Sequence, residues 1–163
     1  MNKVILNANH LVINALTAIK NKNYIEAKNL LEKAIFIQPE MFEANHNLAI
    51  LNFQLGNLDS SILYFEKSRK IKPKFSQVYF NLGLAYDRKK NIDLAIINFK
   101  KVIKLDPNNS IAFYNIGHLY KAKLEPIKAE EYLSKSLDLN PNFIKTYDDL
   151  FSLYDQSNQI EKF

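Results

Sequence analysis

The stretch Tyr79-Phe80-Asn81-Leu82-Gly83-Leu84-Ala85-Tyr86 is followed by Ala95, Phe99, Val102 and Pro107. The same order of residue types returns as Phe113-Tyr114-Asn115-Ile116-Gly117-His118-Leu119-Tyr120, then Ala129, Leu133, Ser136 and Pro141. Each residue of the second set lies 34 positions after its counterpart. Tyr79, Leu82 and Tyr86 stand at i, i+3 and i+7, which is one face of a helix. Ala95, Phe99 and Val102 stripe a second helix in the same way. The proline then stops that helix, since it lacks an N–H and disfavours helical geometry in the residue before it.

Beyond this stretch, Pro39, Pro73, Pro107 and Pro141 follow one another at a constant spacing of 34 positions. A fixed period of this length is that of one helix–turn–helix unit. Four full units are expected at 8–41, 42–75, 76–109 and 110–143, with residues 1–7 as an N-terminal extension and 144–163 as a half-repeat or cap helix. The small pairs Gly83 with Ala95 and Gly117 with Ala129 are expected where paired helices approach closely. Asp59, Asp93 and Asp148 are expected in first turns, where the helix dipole favours anions. The second unit has Asn45 and Asn52 at the slots held by aromatics in the third, so the first two units are expected to pack less tightly.

These residues resemble the tetratricopeptide repeat family, whose pattern runs W-x-x-L-G-x-x-Y, then A, F, A and P. The resemblance covers residues 8–163 and implies an all-α fold, a right-handed α-solenoid of stacked helix–turn–helix repeats. It also implies that first helices line a concave groove that binds an extended peptide or a partner surface. Carried over slot by slot, that groove should present His46, Asn47, Phe53, Phe80, Asn81, Leu84, Arg88, Tyr114, Asn115 and His118. Val12, Ile13, Leu16, Glu43, Ile50, Gln77, Lys121, Asp148, Asp149 and Ser152 join them. Asn47, Asn81 and Asn115 form a ladder of carboxamides, each offering a donor and an acceptor to a peptide backbone. A similar ladder lines the repeat superhelix of O-linked N-acetylglucosamine transferases. The clamp by which some family members hold a chaperone's C-terminal carboxylates is not matched. Only its central asparagine, Asn47 or Asn81, is present.

Composition narrows the rest. Among 163 residues, 3 Gly and 5 Pro are too few for a turn-rich β-sandwich or barrel. With no cysteine, disulfides, thiolate metal sites and cysteine nucleophiles are excluded. No run approaches the ~18 apolar residues of a membrane span. Asn7, Asn9, His10 and Asn14 interrupt anything resembling a signal peptide. A soluble, cytoplasmic protein is therefore expected, with no membrane partner. The net charge of +5 divides unevenly, with +3 in 76–109 and −2 in 144–163. Only Arg69 and Arg88 are arginines, so no nucleic-acid partner is expected.

No catalytic constellation is visible. His46 and His118 are two repeats apart and make no metal-binding spacing with His10. The adjacent Asp148 and Asp149 point about 100° apart on a helix, a poor acid–base pair. No cofactor and no metal are expected, and the chain reads as non-enzymatic. The reading of function is a protein-interaction scaffold or adaptor. The alternatives are a substrate-presenting arm of a larger glycosyltransferase- or sulfotransferase-like enzyme, or a self-assembly module. The last would use an apolar C-terminal face of Leu150, Phe151, Leu153, Tyr154, Ile160 and Phe163, covered by a second copy or by further chain.

Overall fold

The computed structural model describes residues 7–160, with side chains as far as Asp155. Met1–Leu6 of the expected extension, and the Ile160 and Phe163 side chains, lie outside the described residues. Nine helices and no strand are found among the described residues: α1 (Ala8–Lys20), α2 (Tyr24–Ile37), α3 (Phe42–Gln54), α4 (Leu58–Ile71), α5 (Ser76–Arg88), α6 (Ile92–Leu105), α7 (Ser110–Ala122), α8 (Pro126–Leu139) and α9 (Ile144–Ile160). The starts of the odd-numbered helices keep the spacing of 34 positions, and α2, α4, α6 and α8 each end just before one of the periodic prolines.

The chain forms two compact units, divided within the last turn of α5 between Ala85 and Tyr86. In the first unit α1 packs on α2, α2 on α3 and α3 on α4. Its core gathers Leu11, Ala15, Leu31, Ala34, Leu48 and Leu51, all buried. Polar residues are built into this core with partners. Ser61 Oγ donates to Ala49 O at 2.9 Å, tying α4 to α3. Tyr79 OH donates to Pro73 O at 2.9 Å. Asn45, in the equivalent slot one repeat earlier, reaches the equivalent carbonyl, donating Nδ2–H to Pro39 O at 2.9 Å. A fully buried asparagine thus makes the same tie as the tyrosine that holds this slot in the next repeat. Asn52 is also buried and donates to Leu48 O at 2.8 Å.

In the second unit α7 packs on α6 and α8, and α9 lies against α8 and α7. At Gly117 there is a close approach to Leu133. A Cβ at 117 would stand 2.7 Å from Leu133 Cγ and 3.0 Å from Leu133 N.

Within each unit the turn joining a first to a second helix is a Schellman motif. Lys22, Gly56, Lys90 and Leu124 hold it, at φ 60°, 80°, 62° and 59°. The residue after each donates to the carbonyl five back, as in Asn23 N–H to Ala18 O at 2.8 Å and Glu125 N–H to Tyr120 O at 3.0 Å. That residue also begins the next helix; Asn91 Oδ1 accepts from Leu94 N–H at 3.2 Å. Only one of these four left-handed positions is glycine. Lys22→Gly, Lys90→Gly and Leu124→Gly should therefore each raise stability by about 0.5–1 kcal/mol. Urea denaturation checks this, and Gly56→Ala should move the other way.

Candidate functional site

The first-helix face of the first unit is built by α3 and α5. His46 sits among three phenylalanines: its ring stacks on Phe42 at 5.2 Å and meets Phe65 and Phe75 edge-on at 5.8 Å each. Burial is the main cause holding its pKa below the ordinary histidine value. Lys72 adds to this and Glu43 opposes it. Lys72 and Glu43 themselves pair at 2.9 Å. Asn81 Nδ2 lies 3.4 Å from His46 Nε2, while Asn81 Oδ1 accepts from Gln77 Nε2 at 3.1 Å. Because the folded pKa is lowered, His46 contributes stability above about pH 6.5 that is lost as pH falls through its folded pKa. A His46→Phe variant should flatten that part of the pH–stability curve, as measured by thermal melts between neutral and mildly acid pH.

Beside this cluster lies a cavity of ≈ 180 Å³ bounded by Ile50, Phe53 and Gln54 of α3, Phe65 of α4, and Asn81 and Leu84 of α5. It brings together four of the expected groove residues, Ile50, Phe53, Asn81 and Leu84. Asn47, on α3, donates Nδ2–H to Glu43 O of its own helix at 2.7 Å. Phe80 is half-buried on α5. Val12 is buried in the core of this unit, whereas Ile13 and Leu16 are exposed on α1. Val12 therefore supplies packing rather than a binding surface.

In the second unit Asn115 makes the same bond as Asn47, donating Nδ2–H to Ile111 O at 2.7 Å. Tyr114 lies 5.8 Å from the ring of His118 and 4.9 Å from that of Phe143. Burial, with the Asp149 charge, pushes the Tyr114 hydroxyl up to about 12. His118 is exposed but held: its Nδ1 meets Asp149 Oδ2 at 2.7 Å, and Lys121 Nζ donates to Asp149 Oδ1 at 2.8 Å. Arg88 is exposed at the end of α5.

Slot-by-slot reading misses Asp149 as a structural anchor, although a signal for it is present. It stands 34 positions after Asn115, so it continues the series Asn47, Asn81, Asn115. The expected first-turn placement of Asp148 does not hold, because α9 begins at Ile144 and no acidic residue lies in its first turn. Burial alone would raise the Asp149 pKa, but the bonds from Lys121 and His118 outweigh it and the net direction is down. Its contribution is therefore present above the ordinary aspartate value and lost as pH falls through the lower folded value. Asp149→Asn should weaken the docking of α9 at neutral pH and remove its loss in acid. Amide exchange of α9 across that range measures both.

No group of three or more potential metal ligands occurs among the described residues. None of their helices is long and apolar enough to cross a membrane.

Models of the tetratricopeptide repeat match residues 14–74, 76–109 and 98–131, which together span most of the chain. The chain belongs to the tetratricopeptide repeat family. Solved repeat proteins have the same fold. One structure of MamA has a TM-score of 0.85 at 21% identity, over 88% of this chain and 84% of that one. YrrB, described as a TPR protein with an unusual peptide-binding site, has a TM-score of 0.79 at 24% identity, over 86% of this chain and 73% of that one. PilF of Pseudomonas aeruginosa has a TM-score of 0.78 at 23% identity, over 93% of this chain and 69% of that one. No curated protein sequence matches the chain. The fold is the all-α helical repeat typical of protein-interaction modules.

Proposed function

We propose that this tetratricopeptide protein is an interaction scaffold whose first helices bind extended peptides, through Asn47 in the first unit and through Asn115 in the second. The observation that supports this is the identical bond each makes to its own helix, to Glu43 O and Ile111 O, at 2.7 Å. One amide hydrogen is spent on orienting the group. The carbonyl oxygen and the other hydrogen are left to pair with a peptide backbone without further loss of rotamer freedom. Asn81 is different, being occupied by Gln77 and His46. It acts as a support for the face. The peptide-binding site reported for YrrB is in keeping with this use of the fold.

A peptide array probed with the wild type and with Asn47→Ala/Asn115→Ala tests the reading. Leaving Asn81 in place keeps the His46 cluster intact. The double variant should melt like the wild type and lose binding to most peptides the wild type retains. Unchanged binding would refute the role of the two amides.

A second reading rests on α9, where Tyr147, Phe151 and Tyr154 are exposed by 51, 75 and 46% while Leu150 and Leu153 are buried. An apolar stripe of this kind suits self-association. If it self-associates, mass in solution rises with concentration and Phe151→Glu abolishes the rise. A monodisperse monomer at all concentrations excludes this reading.

A further inference from the structure

The cavity between α3, α4 and α5 is distinct from the two amides and is chemically specific. Ile50, Phe53, Phe65 and Leu84 supply its apolar lining, and the almost fully buried Phe65 its floor. Its polar lining is confined to the carboxamides of Gln54 and Asn81. No lining residue is charged, and Glu43 and Lys72, farther along the same face, neutralise each other at 2.9 Å. A charged side chain entering here would lose its water with no counter-ion to meet it, whereas an apolar one gains by burial. The size is also selective. A dry apolar cavity of about 150 Å³ accepts a benzene-sized group, and this one is ≈ 180 Å³.

We infer that this cavity is a side-chain subsite taking one uncharged apolar residue of the bound peptide, between leucine and phenylalanine in size. The inference rests on the peptide-binding reading above and adds the sequence class of the ligand. Asn81 stands at the cavity with its amide fixed by His46 and Gln77, so these two are positioning residues for the subsite. The geometry places the selecting surface on α3, α4 and α5, within one unit.

The test passes a degenerate peptide library over the immobilised full-length protein and sequences what is retained. Leucine, isoleucine, methionine or phenylalanine should be enriched at one position, with aspartate, glutamate, lysine and arginine depleted there. Replacing that residue by alanine in a retained peptide should weaken binding about ten-fold or more. Leu84→Trp, which fills the cavity, should erase the preference at that position while the peptides still bind through their backbones. Ile50→Ala, which enlarges it, should shift the preference toward tryptophan and keeps the test independent of whether the first variant folds. Retained peptides whose preference is the same in all three proteins overturn the subsite and leave the groove reading standing. A library from which nothing is retained overturns both.

Discussion

Phe65→Ala should lower the stability of the first unit by about 3–5 kcal/mol, the cost of removing a buried phenylalanine and leaving a cavity. The side chain is 1% exposed, on the face of α4 that packs against α3. Its ring meets His46 edge-on at 5.8 Å and closes the bottom of the ≈ 180 Å³ cavity. The space it vacates is therefore continuous with one that already exists, and the neighbours cannot collapse onto it from that side. A loss of this size is a large share of the about 5–15 kcal/mol available to a domain. Guanidinium denaturation followed by circular dichroism measures it. Because repeat units need not unfold together, a second transition should separate in the variant, with α1–α4 melting first. Phe65→Leu, which keeps most of the volume, should cost well under half as much.

Gly117→Val should destabilise the second unit by about 3 kcal/mol, at the upper end of what overpacking a core costs. A Cβ at this position meets Leu133 Cγ at 2.7 Å, Cδ2 at 2.9 Å and the Leu133 backbone nitrogen at 3.0 Å. A side chain can rotate away, but the backbone of α8 cannot move without displacing Ala129, Leu133 and Ser136, all buried in the same interface. Gly117→Ala is milder, since alanine recovers up to about 1 kcal/mol of helix propensity. The additional change Leu133→Ala should not restore Gly117→Val to wild-type stability, because the contact with the backbone nitrogen persists. Thermal melts of the three variants order them as predicted or contradict the interface.

The fold is legible because its strongest signals are local and periodic. The prolines mark where α2, α4, α6 and α8 end, and the Leu82 and Ile116 slots mark the buried face of first helices. The turns are less legible. Lys22, Lys90 and Leu124 occupy left-handed positions that glycine would announce, and nothing in a lysine or leucine does so. Asn45 shows a related limit. Residue type suggests a weakened slot, but the bond to Pro39 O depends on the distance from side chain to carbonyl, which the pattern alone does not encode.

The site is legible at the level of the face and not of the partners. Phe53, Asn81 and Leu84 do meet, and Tyr114 does stack near His118. The ladder of equal carboxamides resolves into different environments. Asn47 and Asn115 turn back on their own helices, while Asn81 bridges to His46. At Asn81 the difference comes from His46, one repeat earlier on α3. Asp149 extends the series with a charge that draws in His118 and Lys121. Periodicity locates a slot; its neighbour across the helix pair decides what the slot does.

Peptide capture by the two amides is tested most directly by a nitrogen–proton NMR titration of the full chain with a peptide recovered from the library. Side-chain amide signals report the ligand at the groups in question. The NH2 resonances of Asn47, and those of Asn115 for a peptide held by the second unit, should each shift along the saturation curve of the peptide they hold. Saturation with those resonances unmoved, and with shifts gathered instead on Phe151 and its neighbours in α9, would contradict the proposed groove.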